Sequence, residues 1–319
     1  MNHNVIVTLV VAGIAYGTPL LIAGLGELLT ERSGVLNLGI EGMMLVGAAT
    51  AFWVSKVVGG PAWFALLVAA AAAMASGAAM ALVFAVVCIT FRANQVVTGL
   101  ALAIFGGSIG LSSYLASSGK LTKAAGPHQI RALNVLGLKG LPIVGPILFH
   151  EDVVVYASWA LVVLVALYLY TTRLGLHLRA VGEQPQAADS MGISVTLYRY
   201  THTVVGGAFA GAAGAYYSLA LTPSWSNGLT AGAGWIALGL VIFAFWRPGL
   251  LMAGAYLFGI VTSLGFTLQA RGVTLPPELF AALPYVMTVI VLVLTSSILS
   301  GRRLGSPAAL AQFYEREEH

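Results

Sequence analysis

From Tyr200 to Trp246 the chain runs 47 residues without one Asp, Glu, Lys or Arg. No water-facing surface can be laid over a stretch of that length, and a single core helix would be far shorter. A bilayer span needs about 20 apolar residues, each rising about 1.5 Å across a hydrocarbon core of about 30 Å. The run therefore holds two spans. Thr222-Pro-Ser-Trp-Ser-Asn-Gly228 divides them, because turn formers this dense cannot continue a helix. The same pattern fills the rest of the chain. Val5–Leu29 carries one charge, Glu27, and a second apolar segment begins near Val35 and ends at Ser55. Val57–Phe91 is charge-free and turns at Gly59-Gly60-Pro61, and the long helix after that turn is expected to tilt. Ala93–Gly119, Val153–Thr172, Pro248–Ala270 and Leu279–Gly301 complete the set. The expected fold is all-α: a polytopic integral membrane protein of about nine transmembrane helices in one domain, 1–319.

Composition agrees. Only 8% of the 319 residues are charged, against about a quarter in a soluble domain. The 38 glycines would weaken soluble helices, but in a membrane they let helices approach closely. Gly13/Gly17 and Gly207/Gly211 read as such faces. The net charge of +4 does not point to nucleic acid, since the cations stand singly between apolar runs. One long connection, 117–152, holds Lys120, Lys123, Arg131 and Lys139, with Gly126-Pro127 and Pro142. The other, 172–199, holds Arg173, Arg179, Glu183, Asp189 and Arg199. Placing the second in the cytoplasm puts Arg32, Arg92, Arg247, Arg302, Arg303 and Arg316 on the same side, nine of the fifteen Lys and Arg in all. The first connection is then extracytoplasmic, the N-terminus lies outside, and 302–319 is a short charged tail expected to be mobile.

Several chemistries lack their residues. There is no G-x-x-x-x-G-K-[ST] loop for ATP phosphates, and the six histidines show no i, i+4 pair that would suggest zinc. His150-Glu151-Asp152 reads as a solvated helix start with Asp near the N-terminal dipole. The central spans hold almost no carboxylates, which speaks against a proton-coupled carrier. Gly106-Gly-Ser108-Ile-Gly110 fits G-x-S-x-G, so an intramembrane serine protease using Ser108 and His202 is a competing reading, as is an ATP-independent secondary carrier. The pattern also arises readily as a small-residue packing face.

Four stretches carry a resemblance: Thr30-Glu-Arg-Ser-Gly-Val-Leu-Asn-Leu-Gly-Ile-Glu-Gly-Met-Met44, Ala93-Asn-Gln-Val-Val-Thr-Gly-Leu-Ala-Leu102, Leu178-Arg-Ala-Val-Gly-Glu-Gln-Pro-Gln-Ala-Ala-Asp-Ser-Met-Gly-Ile193, and Gly234-Trp-Ile-Ala-Leu-Gly-Leu-Val-Ile-Phe243 with Trp246-Arg-Pro-Gly249. Together with Leu283-Pro-Tyr-Val-Met287, they resemble permease subunits of bacterial ABC importers for nucleosides and simple sugars. These belong to the superfamily of ribose and branched-chain amino acid permeases. The first and third stretches resemble the nucleoside branch. The resemblance implies the ABC importer transmembrane-domain fold and a place in the bacterial cytoplasmic membrane. It implies a second, similar permease subunit, a cytoplasmic ATPase that holds the ATP and Mg, an extracytoplasmic substrate-binding protein and a small-molecule solute. No cofactor is expected in this chain. Two departures stand out: Phe245 precedes Trp246 where relatives often have a glycine nearby, and Gln184 replaces an Asn before the proline.

Candidate site residues follow. Asn37 and Glu41, one helical turn apart, are expected to share a face near the cytoplasmic mouth. Asn94 reads as an N-cap, leaving Gln95 as a pathway candidate. Glu183, Gln184, Pro185, Ala187, Ala188, Met191 and Gly192 are expected to form a short ATPase-coupling helix. Pro185 suits its first turn and Gly192 its end, with Ala187, Ala188 and Met191 roughly on one side.

Overall fold

A computed structural model describes residues 3–107, 109–117, 121, 128–133, 143–272 and 305–315, with isolated positions between 276 and 293. Ser108, Lys120, Lys123, Gly126-Pro127, Lys139, Pro142, Arg302, Arg303, Arg316 and most of the expected last span lie outside the described residues. Among the described residues twelve α-helices follow in order: α1 (His3–Arg32), α2 (Ile40–Val57), α3 (Ala62–Ala85), α4 (Gln95–Gly106), α5 (Leu111–Ser117), α6 (Val144–Leu148), α7 (Val153–Thr171), α8 (Arg173–Glu183), α9 (Pro185–Ser190), α10 (Val195–Tyr216), α11 (Ala233–Phe243) and α12 (Pro248–Ala270). Short π turns extend α3 over Val86–Thr90 and α10 over Tyr217–Leu221. Among the described residues the β pairing consists of one isolated bridge, Ala132 to Asp152.

Seven of the described helices are long and apolar enough to cross a membrane, counting α4 with α5 as one, and the protein is polytopic. α11 is apolar too, but shorter, at 11 residues. The predicted turns hold: Gly60 has φ +108°, Pro61 begins α3, and the chain leaves helix between Leu221 and Ala233. The second span starts later than its apolar run, at Ile40 rather than near Val35.

Glycines decide which helices meet. A Cβ at Gly77 of α3 would lie 2.2 Å from the Gly207 carbonyl of α10, and one at Gly211 would lie 2.1 Å from that of Ala73. One at Gly259 of α12 would lie 2.0 Å from the Gly13 carbonyl of α1, and one at Gly17 would lie 2.6 Å from that of Ala255. Both expected small-residue faces are therefore true backbone contacts. They matter because lipid tails are as apolar as leucine, so close approach rather than water exclusion drives helix association. α2 is the most enclosed span, held among α3, α4, α10 and α11, whereas α7 is largely open on its outer face.

One end of this bundle gathers Arg32, Arg92, Arg199, the α8–α9 corner and the turn between α11 and α12. Residues 305–315 lie against this end. The tail is thus fixed over that stretch rather than mobile: the backbone N–H of Ala309 donates to Gly182 O (2.9 Å) and that of Ala311 to Gly34 O (3.1 Å). At the other end Asp152 caps α7, its Oδ1 accepting from Val154 N and Val155 N (2.8 and 3.1 Å), as expected. Its neighbour Glu151 is buried, not solvated. Burial, with the adjacent Asp152 charge adding to it, pushes the Glu151 carboxyl up to about 8.

Candidate functional site

Two broken helices meet inside the bundle. α1 ends at Arg32, and Gly34, with φ of +89°, closes it as a Schellman turn: Gly34 N bonds to Glu31 O (2.8 Å) and Val35 N to Thr30 O (3.4 Å). The chain then turns back inward without regular secondary structure over 35–37. Asn37 N donates to the Glu27 carboxylate (3.0 Å), and Glu27 lies five residues before Arg32, about 7.5 Å deeper along the helix. Asn37 Oδ1 accepts from Gly39 N (3.0 Å), which organises the start of α2. Leu36 N donates to Gln95 Oε1 (2.8 Å). The inward segment passes close to α4, since a Cβ at Gly99 would sit 2.8 Å from Leu38 N.

Glu41 stands in the first turn of α2 and reaches the N-terminus of α11. Its carboxylate accepts from Thr230 Oγ1 (2.5 Å), Gly232 N (3.1 Å) and Gly234 N (2.7 Å). A helix N-terminus presents unpaired N–H groups and a positive dipole end, so a carboxylate is the matching partner. Around this point Glu27, Asn37, Glu41, Gln95 and Thr230 are all buried. Nearer the arginine end, the Trp246 indole N–H donates to Glu31 and Arg32 Nη2 to Trp246 O (3.2 Å). Phe245 and Trp246 both have positive φ, +51° and +53°. They close α11 with the bonds of a Schellman turn, Phe245 N to Ile242 O (3.0 Å) and Trp246 N to Val241 O (3.2 Å). The absent glycine noted in the sequence is thus a left-handed backbone imposed on two bulky residues.

The structure corrects one expectation: Asn37 and Glu41 are not one turn apart on a helix, because Asn37 precedes α2, whose N-cap is Gly39. The segment carrying them folds back to the level of Glu27. Gln95 is buried and holds Leu36 N. Asn94 caps α4 as expected, accepting from Val97 N (3.1 Å). Thr230 and Gly232 gave no signal in the sequence. Gly234 did, as the first residue of the fourth stretch.

The second site is the α8–α9 corner. α9 is short, from Pro185 at its first position to Ser190, and Gly192 (φ +80°) terminates it as predicted: Gly192 N bonds to Asp189 O (2.8 Å) and Ile193 N to Ala188 O (3.0 Å). Gln184 gives no side-chain cap, in keeping with the loss of the Asn. The three residues expected on one side are divided. Ala188 is buried against Val181 and Val195 with Tyr314 over them, while Ala187 and Met191 face outward with Met191 82% exposed. Pro185 is buried, and Glu183, Gln184, Gln186 and Gly192 are exposed. Ala188 therefore anchors α9 within the chain.

Of the G-x-S-x-G residues, Gly106 ends α4, and Gly107, Ile109 and Gly110 lie between α4 and α5. Gly106 lies against Gly42, where its Cβ would meet a carbonyl at 2.5 Å. His202 is engaged elsewhere, its Nε2 paired with Tyr168 Oη (2.8 Å) and its Nδ1 with Tyr198 O (2.7 Å).

Residues 9–292 match the family model described as "Branched-chain amino acid transport system / permease component". The chain is 40% identical to the putative glucose ABC transporter permease protein TsgC13 of Haloferax volcanii, covering 96% of this chain and 97% of that one. It is 32% identical to the guanosine ABC transporter permease protein NupQ of Bacillus subtilis, covering 89% and 90%. It is 33% identical to the nucleoside ABC transporter permease protein NupC of Lactococcus lactis, covering 91% and 93%. No solved structure matches.

Proposed function

This chain belongs to the permease-component family of branched-chain amino acid transport systems, and from that premise we propose that it builds the translocation pathway of an ATP-driven importer for nucleosides or related purine- and pentose-containing solutes. It is a multi-pass protein of the cytoplasmic membrane. The observation that carries the reading is the buried meeting of α2 and α11 at Glu41. Interrupted helices whose ends converge on polar groups inside the membrane are how transporters admit a solute without stranding backbone groups in lipid. The seven long helices, the short α11 and the apolar stretch 279–301 together make nine crossings. Asn37, Glu41 and Gln95 serve this pathway by holding the broken segments in place, not by touching solute.

The α8–α9 corner lies in the cytoplasm and docks into a separate ATPase that supplies ATP and Mg. Connection 117–152 lies outside, toward a substrate-binding protein, and a second, similar permease completes the pathway. The outward face of Ala187 and Met191, flanked by Gln184, Gln186 and Gly192, is the contact, with Glu183 and Pro185 framing it. Ala187→Arg should abolish co-purification with the ATPase while the permease stays folded and inserted. Ala188→Trp should instead disrupt the fold, because the site has no room. Normal assembly and uptake in Ala187→Arg would refute docking through α9.

A second reading is glucose import, favoured by the name of the 40% identical relative. Uptake of radiolabelled guanosine and glucose in cells with and without this chain separates the two. Guanosine uptake that depends on the chain, and that unlabelled nucleosides suppress, supports the first reading. Dependence of glucose uptake alone, or competition by branched-chain amino acids without effect of nucleosides, overturns it.

A further inference from the structure

Residues 305–315 form a strap that touches every corner at the arginine end. Arg32 Nη1 donates to Gly305 O (3.4 Å) at the close of α1. Ala308 N donates to the Glu183 carboxylate (3.3 Å) and Ala309 N to Gly182 O (2.9 Å), both at the α8–α9 corner. Ala311 N donates to Gly34 O (3.1 Å) between α1 and α2, and Arg199 Nη1 of α10 donates to Gln312 O (2.9 Å). Glu315 pairs with Arg92 between α3 and α4 at 2.7 Å. Pro307 and Ala309 are buried, and Tyr314 packs on the Val181, Ala188 and Val195 cluster that anchors α9.

The contacts converge most tightly around Ala309. A Cβ at Gly182 would lie 2.2 Å from Arg32 O and 3.3 Å from Pro307 Cβ. A Cβ at Gly34 would lie 3.0 Å from Arg199 Nη2 and 3.2 Å from Ala309 O. The end of α1, the end of α8 and the strap thus meet backbone to backbone, and α10 reaches the same point through the Arg199 side chain. Close-packed contacts of this kind pass displacement on instead of absorbing it. The corner at Gly34 opens directly into the inward segment that carries Asn37 and leads to Glu41.

We propose that the C-terminal strap is the transmission link of this permease: it makes the α8–α9 corner and the Gly34 corner move as one body, so that displacement of α9 reaches the Asn37–Glu41 segment. The proposal rests on α9 being the ATPase-docking helix. A strap of this kind neither binds solute nor recruits the ATPase. It sets how much transport each ATP drives.

The test uses the full complex with its ATPase and second permease, reconstituted in vesicles. A chain ending at residue 304 should still co-purify with the ATPase and hydrolyse ATP, while uptake per ATP falls about fivefold or more, the lower end of typical coupling between sites. Unchanged uptake per ATP in the assembled complex overturns the proposal. So does loss of ATPase association, which would make the strap a docking element. Where truncation impairs folding, Ala309→Pro answers the same question, because it removes the N–H that bonds Gly182 O and leaves the outward face of α9 untouched. Uptake per ATP should fall while ATPase association and hydrolysis persist. Unchanged uptake per ATP in this variant overturns the link. Ala187→Arg tests α9 docking separately: its normal assembly refutes that reading whatever the strap variants do.

Discussion

Glu41→Gln isolates the tie between α2 and α11. The carboxylate meets only donors: Thr230 Oγ1 and Gly232 N at one oxygen, Gly234 N at the other. A glutamine keeps one acceptor oxygen and sets an NH2 group against a remaining donor. With its oxygen toward Thr230 and Gly232, its nitrogen faces Gly234 N across a 2.7 Å contact that must lengthen. An orphaned buried donor costs about 1–3 kcal/mol, and the two surviving bonds lose the charge that makes such bonds roughly twice as strong. Hydrogen bonds between membrane helices average only about 0.6 kcal/mol each, because the unfolded chain in lipid also finds partners. The three bonds together bracket the effect between about 1 and 3 kcal/mol of stability. Denaturant titration of the protein in lipid discs gives the midpoint, and amide exchange at Gly232 and Gly234 reports the site itself. The expected result is a lowered midpoint with faster exchange at Gly234 and reduced uptake. Thr230→Val, which removes one donor and leaves the carboxylate, should cost less. An unchanged midpoint with unchanged exchange at Gly234 would show that the carboxylate does not hold the start of α11.

Three further outcomes follow from the same geometry. Phe245→Gly should relieve a left-handed strain of about 1–2 kcal/mol, offset in part by lost contact of a half-buried ring, so unfolding resistance is expected to rise modestly; a clear fall would mean that the ring outweighs the backbone. Gly77→Ala should part α3 from α10 and cost about 1–3 kcal/mol, while Gly59→Ala, with nothing within 4 Å of its Cβ, should be neutral or mildly stabilising in the same titration. Glu151 binds its proton more tightly folded than unfolded, because burial raises it to about 8 from an ordinary value near 4.5. Between those values the folded state holds more protons, so stability should fall as pH rises from 4.5 through 8 and level off below. In Glu151→Gln that slope should become shallower, and an unchanged slope would show that Glu151 does not contribute to it.

Most span positions, the turns at Gly60-Pro61 and after Leu221, the Asn94 cap and the limits of α9 at Pro185 and Gly192 could be read along the chain, whereas the start of α2 could not. Each depends on a local quantity: the cost of taking a charge from water, the φ that proline fixes, the left-handed φ that glycine tolerates. Such terms act within a few residues of their cause, so a linear string carries them. Glu41 is different, since its partners lie 189 to 193 residues away and are mostly backbone N–H groups that any residue would supply. Asn37 looked helical because its apolar neighbours continue the run. The Glu27 and Gln95 side chains, arriving from α1 and α4, satisfy the backbone of a non-helical segment there. Ala187 and Ala188 are identical in sequence terms, yet one faces outward and the other is covered by Tyr314. The tail reads as charged and free, and it is fixed because Gly34 and Gly182 leave two carbonyls bare for it. Which backbones come close enough to need each other is a property of the assembled bundle, decided by where glycines on separate helices coincide in space.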